Sequence, residues 1–402
     1  MEQWMEFKFT EQEAAFREEV ESFLTNELPS DWAEKSMHWP GGYGTLEYPD
    51  EEQKKISVRF KKKLAEKGWL TIAWPSEYGG KEHTYMEQAI FDERTSYYRA
   101  PGWGIGTGIA GPTILAFGTE QNKQDWISKI ASAEIEMWLG YSEPNAGSDL
   151  SSIETTAIEE GDHYIINGQK TWSTVAHLAD YAWMIVRTDP GGHRHKSISM
   201  IVVDNKSPGM TIRPLINIAG EHSFNEVFFD NVKVPKGNLI GEKNMGFYYL
   251  MTALDFERLF VGIGSFKRVF EQFLVYINEN ESKGQLSVDQ SVRRKLAEIA
   301  TKIEVGYMFF WRTAEMLDKG QIPSVESSAL KLVTTELSRN LADITMEILG
   351  PHGLLMPGSK WAAFKGLSPR GYLDCISATI GAGTSEIQRN IIATRGLGLP
   401  TK

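Results

Sequence analysis

Apolar and polar positions change their period twice along the chain. From Thr10 onward Ala14, Phe16, Val20, Phe23 and Leu24 recur at roughly helical spacing. Thr10-Glu11-Gln12-Glu13 in front of them reads as a capping-box start. This helical texture predicts helices to about Ile135. It is interrupted by a Pro/Gly/Trp/Tyr-rich loop over about Leu28–Pro49, by Trp74-Pro75-Ser76-Glu77-Tyr78-Gly79-Gly80 and by Gly111-Pro112-Thr113. Between about Glu136 and Gly241 short β-branched and aromatic runs alternate with turn residues. Strands are expected at His163–Asn167, Tyr181–Thr188, Ser197–Val203, Met210–Ile216 and Asn225–Val232, in an antiparallel β domain. Helices return at Gly246. One long helix is expected to run to about Asn278, with others over Asp289–Lys319, Ser324–Leu349 and Ser385–Arg395. The chain therefore reads as α+β in three parts: a helical domain over 1–135, a β domain over 136–242 and a helical bundle over 243–402.

Composition narrows the function. Of 402 residues 41% are hydrophobic and 24% charged, enough for a large core and against disorder. Acidic residues number 53 and basic ones 42, for a net charge of -11. That balance argues against nucleic-acid binding, which needs clustered Lys and Arg. Lys61-Lys62-Lys63 reads as a solvated helix face, and His193-Arg194-His195 as an exposed loop with too few ligands for a metal. The single cysteine, Cys375, excludes an internal disulfide framework. With no signal-length or membrane-length apolar run, a cytoplasmic protein is expected.

Two stretches carry the chemistry. Residues 141–149 read Tyr-Ser-Glu-Pro-Asn-Ala-Gly-Ser-Asp; residues 167–174 read Asn-Gly-Gln-Lys-Thr-Trp-Ser-Thr. Tyr141, Ser142 and Ser148 around a Pro/Gly turn can bring hydroxyls and backbone N–H groups to a polar ring edge or a phosphate. Trp172 and Thr174, two residues apart, would share one face of a strand, the ring stacking and the hydroxyl bonding. Taken singly, each stretch also fits a hydrophilic turn followed by an amphipathic hairpin.

The pair resembles the T-E-P-x-A-G-S-D and W-I-T motifs of the acyl-CoA dehydrogenase family, with Ser142 for Thr and Ser173 for Ile. A third stretch, Gly381-Ala382-Gly383-Thr384-Ser385-Glu386-Ile387-Gln388-Arg389, resembles that family's E-G-T-(S/A)-(E/Q)-I-Q. The resemblance spans the chain. It implies the family fold, with a helical N-terminal domain, a β domain and a C-terminal four-helix bundle. It implies FAD as cofactor, an acyl-CoA substrate, electron-transferring flavoprotein as acceptor, and a homotetramer or heterotetramer. Ser142 and Thr174 would contact the isoalloxazine edge, Trp172 one face, and Tyr141 would add backbone contacts. Ser148 would reach the pyrophosphate or pantetheine, and Thr384 and Glu386 the ribose or adenine end. Ser385 to Gln388 also reads as a capping box.

In many members the residue before G-T is the catalytic Glu; here it is Ala382, which keeps only its backbone N–H. Leu254-Asp255-Phe256-Glu257-Arg258 resembles the L-D-x-E-R of isovaleryl-CoA dehydrogenase, where that Glu is the base. Leu250, Leu254, Glu257 and Val261 would form one apolar helix stripe, and burial there would raise the carboxyl pKa while Arg258 limits the rise. By this match Glu257 takes the α-proton, the β-hydrogen leaves as hydride to the flavin, and the Ala382 N–H holds the thioester carbonyl. Asp255 and Arg258 are placed on the substrate side, and a plain salt bridge is the other reading of Asp255.

Two positions depart from the pattern. Asn280 stands four residues before Gly284, where an Arg is usual, and Pro351 follows Gly350 where a Gly is usual. Both serve a neighbouring subunit's flavin in the family. They motivate a second hypothesis, one half of a hetero-oligomer with FAD at only some interfaces. A flavin monooxygenase on the same fold is a third, and a non-catalytic relative a fourth.

Overall fold

A computed structural model describes residues 8–36, 38–41, 50–102, 104–257 and 261–400, and of 253–257 the helical backbone alone. Arg258 lies outside the described residues, as do the side chains of Asp255 and Glu257.

The N-terminal helices are α1 (Glu11–Glu27), α2 (Trp32–Lys35), α3 (Glu51–Lys67), α4 (Tyr85–Tyr98), α5 (Gly111–Phe117) and α6 (Glu120–Ala131). Local chemistry starts most of them. Thr10 and Thr84 each close a capping box with the Glu three residues on, and Asp50 caps α3. Phe16, Val20 and Leu24 form the buried stripe of α1 at helical spacing.

Strands β1 (Met137–Gly140), β2 (Thr156–Glu160), β3 (His163–Lys170), β4 (Tyr181–Arg187), β5 (Ile198–Asp204), β6 (Met210–Leu215) and β7 (Phe224–Pro235) form one sheet in the order β1-β4-β2-β3-β7-β6, with β5 also on β4. The sheet is mixed, which corrects the antiparallel expectation. β1 runs parallel to β4, and Thr156 of β2 pairs parallel with Arg187. Gly140 permits the first of these contacts, since a Cβ there would sit 2.6 Å from Met184 Cβ. β1 and β2 escape a reading based on long alternating runs because they are only four and five residues long. β4 and β5 read as continuous apolar runs because both sheet faces are covered. Trp183, Ile185, Met200 and Val202 face α5 and α6 residues Ile114, Trp126 and Ile130. Ala182, Met184, Val186 and Val203 face the opposite cluster around Trp138 and Tyr164.

The C-terminal helices are α7 (Gly246–Glu257), α8 (Ile263–Ser282), α9 (Gln290–Asp318), α10 (Ser324–Leu349), α11 (Leu367–Ala378) and α12 (Ser385–Ile391). The helix expected to run unbroken from Gly246 to Asn278 is two. Gly262, at φ 61, is left-handed and starts α8, a conformation that glycine takes without strain. Val261 therefore lies outside α7, and the expected stripe through Leu254 and Glu257 falls on side chains outside the described residues. α7 packs on the sheet side, with Tyr249 and Leu250 in the Trp183 cluster. α8, α9 and α10 bury Phe266, Phe273, Ile303, Phe310 and Leu337 against Leu24, Phe60, Leu64 and Ile90 of the N-terminal helices. Each such side chain contributes about 1.5–3 kcal/mol. Among the described residues no helix is long and apolar enough to cross a membrane.

Candidate active site

The loop after β1 is folded on itself. Glu143 and Ala146 exchange two backbone hydrogen bonds, 2.9 and 3.1 Å, across Pro144 and Asn145. Tyr141 is buried, and its hydroxyl accepts from Trp183 Nε1 at 3.0 Å. Ser142 is half-buried, and Pro144, Ser148 and Asp149 are exposed. Asp149 accepts from the Ser151 hydroxyl at 2.5 Å and pairs with Arg194.

The second motif leaves β3 at Lys170 and turns sharply. Trp172 and Val175 both have left-handed backbones, at φ 57 and 52. Trp172 and Thr174 are therefore not on a strand and do not share a strand face, which corrects the spacing argument. The turn presents the indole instead: Trp172 is 61% exposed, with Phe224 touching it edge-on at 6.0 Å. Thr174 is half-buried beside it, and Ser173 is fully buried.

Two buried charges staple the motifs together. Lys170, 0% exposed, places Nζ 2.8 Å from Glu143 Oε1 and 3.2 Å from the Tyr141 carbonyl. Glu143 also accepts from the Glu154 and Thr155 amides at 2.5 and 3.0 Å, and the Thr171 amide donates to the Ser142 carbonyl at 2.9 Å. Burial lowers the Lys170 ammonium to about 8, with Glu143 opposing the fall. Burial also acts to raise the Glu143 carboxyl, but Lys170 and the amide donors outweigh it and hold it below the usual range. Both groups are charged at neutral pH. The ends of β1 and β3 thus bring Tyr141 and Ser142 together with the Trp172–Thr174 turn, with Ser148 on the same loop as Ser142. Sequence reasoning gave Glu143 and Lys170 no role. The signal was present, as opposite charges inside two motifs otherwise rich in hydroxyls.

The third motif forms the turn from α11 to α12. Ala382 and Gly383 are left-handed, at φ 51 and 85. Gln388 Nε2 donates to the Ala382 carbonyl at 3.1 Å, and buried Lys331 of α10 donates to the carbonyls of Ala378 and Gly383 at 3.1 and 2.6 Å. Among the described residues no acceptor takes the Ala382 N–H. Thr384 caps α12 by accepting from the Ile387 amide at 3.2 Å. The expected capping box from Ser385 to Gln388 is absent because Thr384 holds the cap and Gln388 reaches back to Ala382. Glu386 is exposed at the first turn, its carboxyl lowered by its own amide and the Thr384 hydroxyl. Arg370 of α11 is ion-paired with Glu221 in the turn before β7, which ties this region to the sheet carrying Trp172. Helix α7 brings Asp255 and Glu257 by backbone alone, so the expected base is placed on its helix and no further.

The chain matches the family models described as acyl-CoA dehydrogenase N-terminal domain over residues 10–134, middle domain over 139–232 and C-terminal domain over 244–397. It is similar to acyl-CoA dehydrogenase FadE26 of Mycobacterium tuberculosis, 31% identical across 98% of this chain and 99% of the relative. The solved structure "Tcur3481-Tcur3483 steroid ACAD" superposes with TM-score 0.87 at 29% identity, over 99% of this chain and 100% of that one. The ChsE4-ChsE5 complex from Mycobacterium tuberculosis does so with TM-score 0.85 at 29% identity, over the same shares.

Proposed function

Because the chain belongs to the acyl-CoA dehydrogenase family, we propose that it desaturates an acyl-CoA thioester between its α and β carbons. FAD is the family's cofactor, and when bound it supplies the two-electron acceptor for the β-hydrogen. The residues fit such a group. An indole left largely uncovered on a left-handed backbone offers a flat face, and the half-buried Ser142 and Thr174 hydroxyls beside it offer a polar rim. That arrangement, stapled by buried Lys170 and Glu143, is the observation that carries the reading.

In this reading Trp172 covers one ring face, Ser142 and Thr174 bond its edge, and Tyr141 adds backbone contacts. Ser148 reaches the pyrophosphate or pantetheine arm, and Thr384 and Glu386 lie at the ribose or adenine end. Glu257 takes the α-proton, and Asp255 and Arg258 meet the substrate. The Ala382 N–H, beside the Ala382 and Gly383 carbonyls that Gln388 and Lys331 engage, donates to the thioester carbonyl and stabilises the developing enolate. Electron-transferring flavoprotein is the proposed acceptor. The test is anaerobic titration with a panel of acyl-CoAs, following flavin bleaching in the wild type and Glu257→Gln. The steroid relative supports including a steroid-linked thioester in that panel. Bleaching that is unchanged in Glu257→Gln removes the base assignment.

A second reading has its own observations. Asn280 donates to the Tyr276 carbonyl of its own helix at 2.7 Å, and Pro351 has no N–H to offer. Leu354, Trp361 and Ile380, all in the C-terminal helical region, expose apolar surface at 66%, 67% and 61%. These features, and relatives solved as two-protein assemblies, support the chain as one half of a hetero-oligomer with FAD at only some interfaces. A homotetramer with one FAD per chain, purified from this chain alone, removes that reading.

A further inference from the structure

We propose that Asn225 is a positioning residue which, with the stacked rings of His177 and His222, clamps the Trp172–Thr174 turn in the shape that meets the cofactor ring. The inference rests on the FAD reading above for its consequence, but its geometry stands alone. Asn225, at the start of β7, is fully buried, and its side chain is committed on every side. Nδ2 donates to the Ser173 carbonyl at 3.0 Å and to His177 Nδ1 at 3.1 Å. Oδ1 accepts from His222 Nε2 at 2.8 Å. The two imidazoles stack at 3.8 Å with 15° between their planes. The backbone adds two bonds, from the Ser173 amide to the Asn225 carbonyl at 3.0 Å and from the Val175 amide to the Ser223 carbonyl at 3.1 Å.

An amide nitrogen has two protons, and both are used here, so His177 Nδ1 must be a bare acceptor while His222 Nε2 carries a proton. The clamp therefore grips the turn at both ends, at Ser173 and at His177. Val175 between those ends and Trp172 immediately before them are non-glycine residues in left-handed conformations, each costing about 1–2 kcal/mol. A turn so strained relaxes unless its surroundings over-determine it. Phe224, next to Asn225, is the ring that touches Trp172, so the same strand end sets both the backbone and the indole.

Asn225→Asp keeps the shape and removes both donors. We expect FAD affinity, measured by flavin fluorescence, to fall by about tenfold. Amide exchange should rise over residues 171–177 more than elsewhere, and the melting temperature should fall, since the new carboxylate is buried against the Ser173 carbonyl. His222→Gln keeps a donor towards Oδ1 and should bind FAD as the wild type does; His222→Leu should follow Asn225→Asp. The inference is overturned if Asn225→Asp and His222→Leu bind FAD with wild-type affinity, if His222→Gln and His222→Leu weaken it equally, or if exchange rises uniformly across the chain. A wild-type chain that binds no FAD counts against the FAD reading instead, and exchange over 171–177 in Asn225→Asp still decides the clamp.

Discussion

Lys170 Nζ lies 2.8 Å from Glu143 Oε1 inside the protein, joining the two motifs that carry Ser142 and Trp172. Removing one partner strands the other charge in a dry site. Lys170→Met and Glu143→Gln should each cost about 3–5 kcal/mol in urea unfolding. The double variant should cost less than the sum, because the second change removes the stranded charge. Additive losses would show that the two do not act as a pair.

Ser173 buries a hydroxyl that has no hydrogen-bond partner among the described residues. Ser173→Ala removes an unsatisfied donor and leaves the turn's backbone bonds intact. Stability should rise by about 1 kcal/mol, read as a higher denaturation midpoint with an unchanged slope.

Trp172 packs against little, so Trp172→Ala should change the unfolding free energy by less than about 0.5 kcal/mol. Loss of FAD without loss of stability is the expected outcome. Equal loss of both, followed by fluorescence and calorimetry, would make the indole a packing residue.

Ala382 holds a left-handed backbone at φ 51. Ala382→Gly relieves that conformation and keeps the N–H. The variant should be as stable as the wild type or more so, by up to about 1 kcal/mol, with turnover retained. A large fall in turnover with stability intact would mean that the methyl itself contacts substrate.

His38 titrates far from its ordinary range. Burial, with the charges of Arg99 and Arg370 adding to it, pushes the imidazole down from 6.5 to about 4. The unfolded chain takes up this proton first as pH falls, so the stabilisation is complete above pH 6.5 and declines towards pH 4. Its slope should approach about 1.4 kcal/mol per pH unit. Unfolding curves at stepped pH check it, and His38→Gln should flatten the profile over that window.

The main helices and five of the strands were legible because their apolar periods are long enough to count. β1 and β2 were not, and neither was the break before α8, since a single Gly262 inside an apolar run looks like tolerated helix. The Trp172–Thr174 spacing was read through the wrong geometry. Two residues apart suggests a strand, but left-handed backbones at 172 and 175 come from the clamp at Asn225, some fifty positions along, which no local pattern encodes. The capping box at Ser385 failed for a related reason, because Gln388 found a better partner in Ala382. Motif residues with hydroxyls and rings stand out in the sequence, while the ionic and amide groups that hold their segments (Glu143, Lys170, Lys331, Asn225) emerge only when distant segments meet.

Helices from the two ends of the chain bury their apolar stripes in each other, Leu24 and Phe60 against Phe266 and Phe310. Neither end can be an autonomous module. A fragment beginning after β7 would open to water the whole greasy flank of α8 and α9, and should emerge from expression as aggregate, soluble only when the first hundred residues are supplied in trans.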